Sequence, residues 1–211
     1  MNEKHSYPLV NDPSEKGCMK GESILLKQNT RILTPAEYRG LRSEFQNYTH
    51  KMIFDGMLFS GARTEEFWRF IKYKRYFDPE RCVIHLPEKL VKKSKVKHKA
   101  RDIFLSNWGL QAMERLYDSE VYEVSRVAWR EDLLRAAKKA GIGTNGIMPK
   151  MTRKTWESWL IVSFPHMALQ IHMSQGHNSI TAMNHYLNIS FTAEEKFDMK
   201  KYVTGFCGET L

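Results

Sequence analysis

The chain has 211 residues, of which 42% are hydrophobic and 27% charged. Those fractions exclude a disordered or fibrous protein and allow one domain with a core large enough to stand without staples. Lys and Arg number 33 against 24 Asp and Glu, a net charge of +9 that favours a polyanionic partner.

No run approaches the roughly 18 apolar residues of a membrane span. The start, Met1 to Lys20, lacks the apolar centre of a signal peptide. Three widely spaced cysteines, Cys18, Cys82 and Cys207, argue against a disulfide framework and a zinc motif. Together these features predict a cytoplasmic protein that is not secreted.

Residues 1–30 are polar and without period, and are expected to form a flexible lead-in, with order beginning near Thr34. Thr34-Pro35-Ala36-Glu37 is a helix start, with Thr34 as cap, Pro35 at the first helical position and Glu37 closing a capping box. Tyr38, Leu41 and Phe45 then share one helical face. Met52 to Phe59 predicts a second helix that ends at Ser60-Gly61. Arg63 follows this break, before the helical pattern of Phe67 and Phe70. An arginine placed there can turn its fork toward phosphate oxygens, or can pair with Glu65 or Glu66.

Asp78-Pro79-Glu80 is a turn, Val83–Leu86 a short strand, and Ile103–Leu105 another. Between them runs Lys92 to Arg101, in which six of ten residues are permanently cationic. A basic hairpin is expected there, suited to phosphate. Leu110, Met113, Leu116 and Tyr117 share a helical face, and Val127, Leu134 and Ala137 suggest a further helix closed at Gly141. Gly141 to Pro149 is a loop, and Thr152 to Phe164 a helix. Lys150 and Arg153 lie at i and i+3 around its start and can share one face toward an anion. Shorter helical pieces are expected at Met167–Met173 and Ser179–Leu187, and a charged and apolar tail at Ala193–Val203 that could pack or dock elsewhere.

His177 stands in Gln175-Gly176-His177-Asn178-Ser179, nine residues before Tyr186. A phenol is a weak nucleophile, but is useful when arginines neutralise the phosphate it attacks. His166, His172, His177 and His185 have none of the spacings of a metal site, so no metal is expected.

The order Arg63, lysine-rich hairpin, Lys150-x-x-Arg153, Gly176-His177 and Tyr186 resembles the catalytic domain of tyrosine recombinases, most closely the integrases of archaeal viruses and plasmids. The likeness covers residues 31–190, leaving 191–211 as a C-terminal tail. It implies an α+β, mainly helical fold with a small antiparallel sheet and a basic β-hairpin. The function implied is site-specific recombination or integration. Tyr186 would form a 3′-phosphotyrosyl link and Arg63 and Arg153 would clamp the phosphate. His177 would hydrogen-bond it, and Lys95, or nearly as well Lys97, would protonate the leaving oxygen. Lys150 stands where the family usually has histidine. The resemblance further implies double-stranded DNA as partner, a homo-tetramer on it, and no cofactor. Residues 1–30 cannot supply the family's core-binding domain, so weak, salt-sensitive DNA binding is expected. Phe197, Met199 and Tyr202 could dock on a neighbouring protomer. A non-catalytic DNA-binding module and a type IB topoisomerase-like enzyme are the alternatives.

Overall fold

The computed structural model describes residues 24–91, 100–119, 124–177 and 189–208. Within them α1 (Pro35–Ser43), α2 (Tyr48–Ser60) and α3 (Thr64–Phe70) precede three strands, β1 (Phe77–Asp78), β2 (Val83–Leu86) and β3 (Arg101–Phe104). Then follow α4 (Asn107–Asp118), α5 (Arg126–Lys139), α6 (Lys150–Ser163), α7 (Ala168–Gln175) and α8 (Ala193–Val203). The protein is mainly helical with one small antiparallel sheet in the order β1-β2-β3, whose register pairs Phe77 with Ile84 and Ile84 with Ile103. The basic hairpin expected between β2 and β3 falls on residues 92–99, Lys95 and Lys97 among them, which lie outside the described residues.

The Thr34 capping box forms as its residues predict. Thr34 Oγ1 accepts from Glu37 N at 3.2 Å, and Glu37 Oε2 accepts from Thr34 N at 2.9 Å. Helix α2 is apolar almost all round and therefore central, packing on α4 and α6. Its Gly56 allows the approach to α4, since a Cβ there would lie 3.2 Å from Leu116 Cδ2. Two buried tryptophans donate to backbone: Trp159 Nε1 to Leu33 O at 2.9 Å and Trp129 Nε1 to His50 O at 3.1 Å.

Two expectations are corrected, and the buried face of α5 is defined. Order begins before Thr34: Lys27 N donates to Thr30 O at 2.8 Å, Arg31 N donates to Gly146 O at 3.0 Å, and Thr30 and Arg31 are buried. This turn is held because Leu33 N and Arg31 find partners on α6 and on the loop after α5 (Thr155 Oγ1 and Ile142 O). On α5 the buried face is Trp129, Leu133, Ala136 and Ala137, while Val127 is exposed. Trp129 sets that phase by packing edge-on to Trp68 at 6.1 Å. The tail is no free arm, because α8 packs on α1, α4 and α6. Its Met199 and Tyr202 are buried, Tyr202 lying 5.3 Å from both Tyr38 and Trp159, and only Phe197 faces outward. The apolar spacing of a helix that closes its own core does not differ from one that docks elsewhere.

Candidate functional site

Two helices end on glycines in the left-handed conformation, α2 on Gly61 (φ 58°) and α7 on Gly176 (φ 67°). Neither tolerates a side chain. A Cβ on Gly61 would lie 2.6 Å from Gln175 Oε1 and from Trp156 Cδ1, and one on Gly176 would lie 2.8 Å from Arg101 Nε. The two ends therefore meet closely, and their backbone carbonyls become acceptors for arginines.

Arg63 caps α3 in an extended conformation and projects toward α7. Its Nη2 donates to Gly176 O at 2.5 Å and its Nη1 to Glu66 Oε1 at 2.9 Å. Of the two carboxylates weighed from the sequence, it is thus Glu66 that pairs with it. Arg153, buried on α6, donates from Nη1 to Gly61 O at 3.0 Å and from Nη2 to Gln175 O at 2.7 Å. Arg63 and Arg153, 90 positions apart in sequence, so lie on the carbonyls of two consecutive residues.

Arg101, the first residue of β3, joins them. Its Nε donates to Ser174 O at 3.0 Å, and its Nη2 and Nη1 reach the two oxygens of Glu66 at 2.6 and 3.3 Å. Glu66 is fully buried. Burial opposes its ionisation, but Arg101 and then Arg63 outweigh that and hold its pKa at about 2. Glu157, one turn after Arg153, completes the group: Oε1 lies 2.8 Å from Arg153 Nε and 2.7 Å from His177 Nε2. Burial pushes Arg153 down while Glu157 opposes it. Guanidinium keeps its charge in proteins. His172 stacks on His177 at 5.6 Å and is pushed below the ordinary histidine range by burial and by that neighbour.

Three guanidiniums against two carboxylates leave this cluster cationic. Arg63 is 24% exposed and its two bonds leave further N–H groups of the fork for a ligand. The arrangement is an anion site with fixed donors, of the geometry that suits phosphate.

Lys150 stands apart. It begins α6, is exposed, and its charge bears on Lys154. Lys154 Nζ donates to Lys27 O at 3.0 Å, and Lys27 is lowered to about 8 by burial and by Lys154. Lys150 and Arg153 thus share the first turn, but Arg153 points inward. Tyr186 lies outside the described residues. Among the described residues no cluster of His, Cys, Asp or Glu could hold a metal, and no helix is long and apolar enough to cross a membrane.

Sequence reasoning missed Arg101, Glu157 and the carbonyls of Gly61, Ser174 and Gln175 as members of the site. Arg101 was one charge among many in a cationic run. Glu157 carried a signal, since its i+4 spacing places it on the same helical face as Arg153.

No protein-family model and no curated protein matches the sequence. Solved structures do. The chain is similar to XerA recombinase, with a TM-score of 0.57 and 15% identity over 81% of this chain and 64% of that one. It is similar to the Tn1549 transposon integrase in complex with circular intermediate DNA, with a TM-score of 0.59 and 16% identity over 81% and 66%. It also resembles a lambda integrase dimer bound to a COC′ core site, with a TM-score of 0.57 and 14% identity over 79% and 50%. The chain thus spans 64%, 66% and 50% of these structures. Its fold is that of the tyrosine recombinase catalytic domain.

Proposed function

We propose that this protein is a DNA strand breaking and rejoining enzyme, a site-specific recombinase or integrase of the kind carried by archaeal viruses and plasmids. It would act in the cytoplasm as a homo-tetramer on double-stranded DNA. The observation that carries the reading is the meeting of Arg63 and Arg153 on the adjacent carbonyls of Gly176 and Gln175, about ten residues before Tyr186 in sequence. Structures of similar fold hold DNA, which supports the choice of partner.

In this mechanism the scissile phosphate binds between the guanidiniums of Arg63 and Arg153. The Tyr186 oxygen attacks phosphorus and the bond to the 5′-oxygen breaks. That oxygen leaves with a proton from Lys95 or Lys97. Charge growing on the phosphate oxygens is met by donors already fixed in place, so the stabilisation is greatest in the transition state. The phosphotyrosyl bond keeps the energy of the broken one, and attack by a 5′-hydroxyl reverses the step on the same or another strand. Lys150, exposed beside Lys154, is suited to a neighbouring backbone phosphate rather than to the reacting one.

A nicked duplex that loses its 5′-hydroxyl fragment on cleavage tests this reading. Covalent protein–DNA product is expected with the natural chain and none with Tyr186→Phe, at unchanged DNA affinity. Good binding without adduct under any condition would favour the non-catalytic module.

A further inference from the structure

Glu157 is an acid inside a cationic site, and holding a carboxylate at 1% exposure is costly unless something is gained. It does not stand in for the phosphate. A group in that position would be as open to DNA as its neighbours, yet Arg153 and His177 keep 11% and 21% of their side-chain surface. Glu157 lies behind them, on the protein side.

Its position decides a proton. His177 Nε2 has two neighbours of opposite kind: the acceptor Glu157 Oε1 at 2.7 Å and the donor Arg153 Nη2 at 3.2 Å. The ring nitrogen cannot serve both, because it is a donor in one tautomer and an acceptor in the other. The shorter, charge-assisted contact is to the carboxylate. The groups that face this carboxylate from other elements are His177 and His172 at the end of α7 and Lys27 on the turn before α1, with Arg153 and Lys154 on α6 itself. The cations among them all favour its ionised, accepting form.

We propose that Glu157 is a positioning residue that fixes His177 in the Nε2–H tautomer, so that Nδ1 is the nitrogen left to accept a proton. The geometry stands by itself; the consequence for catalysis rests on the recombinase reading. There Nδ1, which has no N–H to offer the phosphate until it is protonated and so departs from the donor role the resemblance implies, takes the phenol proton as the Tyr186 oxygen bonds to phosphorus. The resulting imidazolium faces the Glu157 carboxylate, and the proton returns to the phenol on rejoining. Lys150 does not replace it, since an ammonium has no lone pair to accept with.

The test compares Glu157→Gln, whose amide oxygen can still accept from His177 Nε2, with Glu157→Leu, which cannot. Nitrogen-15 shifts of the histidine rings in the DNA-free protein read the tautomer. Nε2–H is expected in the natural chain and in Glu157→Gln. In Glu157→Leu the Arg153 donor should take Nε2 and move the proton to Nδ1. On the nicked substrate Glu157→Leu should cleave about 100-fold more slowly. Its DNA affinity should stay within about threefold, and Glu157→Gln should recover most of the rate. An Nδ1–H ring in the natural chain, an unchanged tautomer in Glu157→Leu, or equal rate losses in the two variants would overturn the proposal. Should Glu157→Leu fail to fold, the ring of Glu157→Gln still decides, with Nδ1–H there counting against it. A natural chain that shows the Nε2–H ring but forms no adduct would instead refute the recombinase reading and leave the tautomer assignment standing.

Discussion

Glu66→Gln removes the charge that joins Arg63 to Arg101 without changing the shape of the side chain. Glu66 is 0% exposed and its pKa lies at about 2 in the fold against 4.5 in an unfolded chain. Each pKa unit is about 1.4 kcal/mol, so the ionised form contributes on the order of 3 kcal/mol to folding. The sign follows from a lowered pKa. The contribution is fully present above about 4.5 and is lost as pH falls toward 2. Urea unfolding at neutral pH should therefore find Glu66→Gln less stable by about 3 kcal/mol, within the range for breaking a buried pair. The gap between the two proteins should close through that acid window, because the protonated carboxyl of Glu66 and the amide that replaces it are equally uncharged. A gap below about 1 kcal/mol at neutral pH, or one that persists undiminished at the lowest pH where both still fold, would refute the account of Glu66 as the counter-charge of this site.

Gly176→Ala forces a side chain into the left-handed conformation and against Arg101 Nε at 2.8 Å. Thermal unfolding should show a loss of about 1–2 kcal/mol, and strand cleavage should fall further than that loss explains, since the carbonyl under Arg63 moves. Tyr202→Ala opens the aromatic group formed with Tyr38, Phe59 and Trp159. It should destabilise the isolated protomer by about 3–5 kcal/mol in urea. A protomer of unchanged stability with impaired assembly on DNA would mean that the tail docks on a neighbour.

What could be read from the sequence was mostly local. Thr34, Pro35 and Glu37 act on one helix end, so their effect needs no tertiary knowledge, and they form the box expected. Arg63 was visible because a glycine break precedes it, and Arg153 because a cation in the first turn of a helix is locally unfavourable. The pairing of Arg101 with Glu66 spans 35 positions and leaves no periodic trace. Val127, Leu134 and Ala137 suggest the helix α5, but its buried face is set by Trp129 against Trp68 on α3, and Val127 is exposed. The fate of α8 was equally hidden, since the partner of an amphipathic face is not written in the face.

Arginine side chains are long and lose much rotational freedom when held. Here that loss is met when the chain folds, because the ends of α2 and α7 grip the guanidiniums before any anion arrives. On the recombinase reading an incoming phosphodiester therefore finds a rigid receptor and need not organise one. Selectivity follows for shape as well as charge: the two non-bridging oxygens of a tetrahedral phosphodiester can meet stationary N–H vectors in fixed directions, whereas a spherical ion of equal charge offers none.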